Sequence, residues 1–440
     1  MRSSVCRGRE YKVTKDNVRK YNFSKLPLKP SKFWMWMARN FAIAPRLRGR
    51  PVTVEKIGMD GIEPPYMLFA THASMLDFPV MYTAVKPYDA NNVVAIDAVR
   101  DVGDYLMRRL GCISTRKFIK DFNLIRSLRH CAKNYKTVIC MYPEARFSLD
   151  GTTAFLPASL GKLCKLMKIP VVVLRMFGVF VAAPQWNKKE QKIPLRAELE
   201  CIATKEEVEA LSLDELNARI RTAMQHDDFA WQRENGIEIK NPERAQGLHN
   251  ILYRCPHCNR EYEMYSQGTR LWCKSCGKAW QMSTLSVLSA EEGETEFAHI
   301  PDWVKWERSL IREEVRSGRY RFEDEVEVHT LPNAKKFYHH GKGKLVQTVE
   351  GTYLECTAYG KEQKLFWAPT ELESIHIEYD YPYNKRKYRK NIFGDCVDIS
   401  TPDESYWLHP VHGRDTLTKL SFATEEIYEL ALEKIHGQNS

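Results

Sequence analysis

Four cysteines constrain this chain more tightly than any other feature. Cys255-Pro-His-Cys258 and Cys273-Lys-Ser-Cys276 are two C-x-x-C pairs separated by fourteen residues. Such pairs form two tight turns that offer four thiolates to one tetrahedral ion. The expectation is a zinc ribbon over residues 247–285 with one structural zinc per chain. A set made only of cysteines closes the coordination sphere, so the zinc would hold the fold and leave no open position for chemistry. His257, between the first two ligands, is redundant beside that set. The other eight of the twelve cysteines are scattered singly, as reduced core thiols are. A reducing compartment fits them better than disulfides do.

A ribbon of that size cannot organise 440 residues, and two or three domains are expected. The charge is unevenly placed. Residues 1–50 hold fourteen Lys and Arg against Glu10 and Asp16, a net of +12, while the whole chain is +10. The body is therefore close to neutral, and a basic arm on a neutral body seeks phosphate, in anionic lipid or in nucleic acid. The opening "MRSSVCRGRE" has no apolar h-region, and no stretch supplies the ~20 apolar residues of a membrane span. "FWMWMARNFAIAP" (33–45) is broken by Arg39 and Asn40, and "IPVVVLRMFGVFVAAP" (169–184) by Arg175. The first reads as an interfacial helix. Lys32, Arg39 and Arg46 recur every seven residues on one face, with Phe33, Trp34, Trp36, Met37 and Phe41 over the rest. The competing reading is a helix docked on the protein's own core.

From about 51 to 246 the pattern is α/β. Apolar runs at Tyr66–Ala70, Val93–Ile96, Thr137–Tyr142 and Val171–Phe177 read as buried strands, with helical patterns at Asp101–Leu110 and Lys120–Asn134 between them. "LRAELECI" (195–202) alternates like an edge strand, and helices follow at Lys205–Ala210 and Leu213–Met224. This order argues for a largely parallel sheet covered by helices. Residues 286–440 change texture. A helix at Asp302–Val315 precedes short strands at Lys344–Val349, Tyr353–Ala358, Gln363–Trp367, Leu372–Glu378, Val397–Ile399 and Tyr406–His409. A last helix, Glu425–Ile435, is capped in this reading by Thr424. Short strands closed by one amphipathic helix resemble, in pattern, a PH-like barrel.

In "FATHASMLDFP" (69–79), His72 follows directly on a strand and Asp77 falls in the next helical pattern. Five residues of regular helix leave two side chains about 140° apart, so the pair meets only if the chain turns non-helically near His72. A strand-to-helix junction at the carboxyl end of a parallel strand supplies such a turn. There a carboxylate on one ring nitrogen would make the other a general base. The alternative is Asp77 as a helix cap or salt-bridge partner and His72 as a satisfied loop residue, and this stretch alone leaves both open.

Three further stretches follow in order: "LGCISTRK" (110–117), "MYPEARFSLDG" (141–151) and "KIPVVVLRMFG" (168–178). With "THASMLD" they resemble the four blocks of the glycerolipid acyltransferases, best known as 1-acylglycerol-3-phosphate acyltransferases. The resemblance covers about residues 51–203. It implies direct transfer of a fatty acyl group from a thioester, acyl-CoA or acyl carrier protein, to a hydroxyl of a lysophospholipid or glycerol-phosphate acceptor. By resemblance His72 is the base and Asp77 orients it. Glu144 and Arg146 would bind the phosphate end of the acceptor, helped by Arg116 or Lys117. The blocks also depart from the family. Thr71 stands for Asn, Ala145 for Gly, Phe147 for Arg with Arg146 one place early, and Val173 for a second Pro. These changes bear on the acceptor, because bidentate phosphate binding tolerates little displacement.

Two rival readings follow from the same residues. The arm, the ribbon and the cluster "YNKRKYRK" (383–390) could serve a nucleic-acid-binding protein, or the altered third block could mark a lipid-binding pseudoenzyme. Four ordered blocks have no role in a nucleic-acid binder, and the Trp/Met-rich segment suits lipid better than a phosphate backbone. The reading is thus a cytoplasmic enzyme, peripheral on the inner face of the cell membrane and held there by an anionic surface.

Overall fold

In a computed structural model, residues 18–379, 394–413 and 416–438 are described. The cluster at 383–390 and the first seventeen residues lie outside them. Three sheets carry the fold. The first contains β1 (Val52–Ile57), β2 (Met67–Ala70), β3 (Ala90–Ala95), β4 (Ile113–Thr115), β5 (Val138–Met141), β6 (Val171–Phe177) and β7 (Leu195–Ala203), in the order β1-β7-β6-β2-β5-β3-β4. Every neighbouring pair is parallel except β6 and β7. All four residues of β2 are buried. Side chains alternate across a strand, so Leu68, Ala70, Val172 and Leu174 join one apolar layer while Met67, Phe69, Val171 and Val173 join the other. Full burial of each large side chain is worth about 1.5–3 kcal/mol. That is why these runs become central strands between helices. β7 is not the edge that its alternation suggested. It lies inside β1, a half-exposed strand that no apolar run announces.

The second sheet, β8 (Met264–Gln267), β9 (Arg270–Cys273), β10 (Ala279–Met282) and β11 (Leu288–Ala290), is an antiparallel meander that includes one cysteine pair. The third is β-rich and wholly antiparallel: β12 (Arg321–Thr330), β13 (Tyr338–Thr348), β14 (Gly351–Ala358), β15 (Lys361–Trp367), β16 (His376–Glu378), β17 (Cys396–Ser400) and β18 (Ser405–Pro410). Its order is β15-β14-β13-β12-β18-β17-β16. The sequence of β12, "RFEDEVEVHT", carries four acidic residues and gives no apolar strand signal, yet the strand pairs on both sides, with β13 and β18. Only the end of the expected Leu372–Glu378 strand is extended. The last helix starts at Leu417, seven residues before the expected cap. Thr424 lies inside it, and its hydroxyl donates to the Leu420 carbonyl at 2.8 Å, a bond available mid-helix as well as at an end.

The segment after residue 31 forms a helix, Lys32–Ala38, a widened turn, Arg39–Ile43, and a further turn, Ala44–Leu47. It docks by burying Met35 and by two ion pairs, Arg39 to Asp89 at 2.9 Å and Arg46 to Glu190 at 2.6 Å. Two members of the expected basic stripe therefore bind the protein's own body. What faces outward is aromatic: Phe33, Trp36 and Phe41 keep 60%, 55% and 67% of their surface. Among the described residues, no helix is long and apolar enough to cross a membrane.

Candidate active site

β2 ends at Ala70, and Thr71 fastens the strand end by donating its N–H to Leu174 and accepting from the N–H of Met176. The chain then leaves the sheet at His72. The next helix, Asp77–Ala84, opens on Asp77 itself. Between them lies the non-helical turn needed to bring five-apart side chains together. The Asp77 carboxylate is fully buried and reaches back over that turn. Its Oδ2 lies 2.6 Å from His72 Nδ1 and accepts the Ala73 N–H at 2.9 Å, and the Ser74 N–H also points to it, at 3.2 Å. Asp77 thus closes the turn that precedes its helix and touches the imidazole with the same carboxylate, while the helix itself has no side-chain cap. Burial pushes its carboxyl up from the ordinary value, and the bonds from His72, Ala73 and Ser74 pull it back.

A carboxylate on Nδ1 fixes the tautomer with the proton there and leaves the Nε2 lone pair outward. Among the described residues, the ring hydrogen-bonds to Asp77 and no Ser or Cys side chain hydrogen-bonds it. His72 keeps 17% of its side-chain surface, enough for a substrate atom to reach it. Aromatic rings hold it. Tyr142 stacks on the imidazole at 4.4 Å between centroids, Phe147 tilts against it at 4.4 Å, and Phe78 backs Tyr142 at 5.6 Å. The sequence alone marks neither flanking ring for this role. Phe147 is visible there only as the residue standing where the family pattern has Arg.

The third stretch wraps the same histidine from the other side. Glu144 is buried, with Oε2 accepting the His72 N–H at 2.7 Å and Oε1 the Ala154 N–H at 2.9 Å, while Ser148 donates its N–H to the His72 carbonyl at 2.8 Å. Burial pushes the Glu144 carboxyl up to about 8, against the pull of those two N–H donors. Ala145 has φ +52°, a left-handed conformation that disfavours any Cβ. The residue standing in place of Gly thus sits where the backbone asks for Gly.

The expected acceptor-binding cations lie apart from open space. Arg146 is buried, and its Nε and Nη2 donate to Glu425 Oε1 at 3.2 and 2.8 Å. Lys117 Nζ sits 3.3 Å from both Asp97 and Asp398. Arg116 is buried over the Phe23 ring and donates to the Asp403 carbonyl at 3.0 Å. The structure brings His72, Asp77 and Glu144 into one hydrogen-bonded unit. It sends Arg146, Lys117 and Arg116 to carboxylates or carbonyls of the C-terminal region.

The four cysteines converge. Their Sγ atoms all lie within 4.8 Å of one another, with Cys255–Cys276 and Cys258–Cys273 both at 3.7 Å. Sulfurs 2.3 Å from a common tetrahedral centre are about 3.8 Å apart, so the set fits a four-coordinate metal. Each turn closes alike. Asn259 and Gly277, one residue past each pair, take φ +62° and +79°, and each N–H returns to the first cysteine's carbonyl.

No protein-family model matches this chain, and no curated relative matches it. A solved structure similar to part of it is the 1-acyl-sn-glycerophosphate (LPA) acyltransferase PlsC of Thermotoga maritima. The likeness is 15% identical in sequence, covers 44% of this chain and 84% of that one, and has a TM-score of 0.34.

Proposed function

We propose that this chain is an acyltransferase that moves a fatty acyl group from a thioester, acyl-CoA or acyl carrier protein, to the hydroxyl of a glycerol-derived lipid. The observation that carries this reading is the 2.6 Å contact between His72 Nδ1 and the buried Asp77 carboxylate at the carboxyl end of a parallel strand. Nε2 takes the proton of the acceptor hydroxyl as its oxygen attacks the thioester carbonyl. A C–O bond forms, the C–S bond breaks, and the imidazolium returns the proton to the departing thiolate. No acyl-enzyme is needed, and Asp77 stabilises the transient imidazolium. Zinc is the metal proposed for the cysteine set, as a fixed part of the fold. The exposed Phe33, Trp36 and Phe41, with the exposed Lys32 and Arg48 beside them, are proposed to rest in an anionic membrane surface. The test is acceptor-dependent release of free thiol from acyl-CoA, matched one to one by new ester. Hydrolysis without ester formation, or no thiol release across neutral and phosphorylated lysolipids with either donor, would count against the reading.

A further inference from the structure

The cations that resemblance assigns to an acceptor phosphate are already neutralised from within. Glu425, from the last helix, has no exposed surface. Its Oε1 takes Arg146 and the Ser374 hydroxyl, and its Oε2 lies 2.7 Å from Arg308. Asp398, from β17, shares Lys117 with Asp97 and is itself buried. Arg116 has no hydrogen-bond partner for Nε or Nη1 among the described residues. Its guanidinium, however, lies against the Phe23 ring, and the acidic groups of Glu404, Asp398 and Asp403 act on its charge. A phosphate dianion entering here would strip buried carboxylates of their cations and lie among like charges, both costly in a desolvated site.

The C-terminal region does not sit there loosely. Val94, Val99 and Met107 of the α/β layer share one apolar cluster with Leu331, Phe337 and Trp407. Arg308 and Arg312 also hold Glu426, one residue past Glu425. These carboxylates belong to the resting architecture of the site. Meanwhile Phe147, beside Arg146, turns an aromatic ring onto His72 at the place where the family pattern has its Arg.

We propose that Glu425 and Asp398 fill the acceptor-phosphate subsite from within, so that this chain selects a glycerolipid whose head carries no phosphomonoester. The selection of a substrate rests on the acyl-transfer reading above; the occupancy of the cations does not.

The test has two arms on the full-length, zinc-loaded protein. In the first, glycerol 3-phosphate is titrated calorimetrically. The wild type gives no saturable binding at millimolar concentration, whereas Glu425→Gln, which frees Arg146, gains about tenfold or more in affinity. Should that variant fail to fold by circular dichroism, Asp398→Asn, which leaves Lys117 with Asp97 alone, takes its place. The wild-type titration decides alone if neither folds. In the second arm, monoacylglycerol and lysophosphatidate of the same chain length compete as acceptors. The wild type prefers the former by about tenfold or more, and Glu425→Gln narrows the ratio. Saturable wild-type binding of glycerol 3-phosphate that Arg146→Gln abolishes would overturn the proposal, as would preference for lysophosphatidate. If no acceptor is acylated at all, the acyl-transfer reading falls, and the binding arm still shows whether these cations hold phosphate.

Discussion

Asp77 shows how one buried carboxylate can serve a turn and a ring together. The spacing of His72 and Asp77 demanded a turn, and the turn's own N–H groups are satisfied by the same oxygens that hold the ring. Asp77→Asn keeps one acceptor for the cap but lets the ring adopt the wrong tautomer. Acyl transfer should fall about 10²–10⁴-fold while the melting temperature moves little; a fall in both together would make the role merely structural. Ala145 gives a second test. A non-glycine residue at φ +52° costs about 1 kcal/mol, so Ala145→Gly should raise unfolding free energy by about that much in urea titrations. No change, or a loss, would mean that the alanine methyl packs well enough to offset the strain. Partners of Arg146 or Lys117 were not legible, because Glu425 and Asp398 lie some 280 positions away in sequence. Nothing local marks such pairs.

Elements whose signal is apolar periodicity came through the sequence well, and those whose signal is polar did not. β6 was read with its observed ends, and the helices at Lys205–Ala210 and Leu213–Met224 carry Thr204 and Ser212 capping boxes that mark their starts. β12 was hidden by its acidic residues, which ion pairs such as Glu325 with Lys342 make tolerable on a paired strand. The ribbon reading rests on cysteine spacing, a metal-ligand pattern more specific than propensity. Metal analysis of protein purified without chelator should return one zinc per chain, and Cys258→Ser or Cys276→Ser should lose it. Because structural zinc contributes on the order of 10 kcal/mol to small modules, chelation should expose amides of β8–β11 to hydrogen exchange while those of β2 and β6 stay protected. Zinc-free protein with a protected ribbon would contradict this. For the segment 32–47, Trp36→Ala with Phe41→Ala should weaken flotation with anionic liposomes even at high salt, where charge is screened. Unchanged flotation would leave binding to charge alone.

The α/β sheet and the C-terminal sheet are joined by a desolvated set of ion pairs as well as by apolar packing, and this gives the assembled chain a pH signature. Burial pushes the Glu425 carboxyl up, but Arg146, Arg308 and Ser374 hold it below its ordinary 4.5. Asp97 and Glu378 are likewise held down against burial, chiefly by Lys117 and by His376 respectively. Carboxyls depressed in the fold contribute stability that is fully present above their unfolded values and lost as pH falls through the folded ones. The margin in urea midpoint of the wild type over Glu425→Gln should therefore be constant from pH 7 to about 5 and shrink below about 4. A margin that held or grew on acidification would show that the Glu425 ion pairs do not supply this stability. These pairs flank the loop that carries Phe147 onto His72, so the chemistry proposed for that ring can be asked of the intact chain. The most direct measurement is single-turnover acyl transfer by His72→Ala beside the wild type, with matched circular dichroism and zinc content. Loss of a general base predicts a rate about 10²–10⁴-fold lower in the folded variant, whereas folded His72→Ala protein transferring acyl groups at the wild-type rate would contradict it.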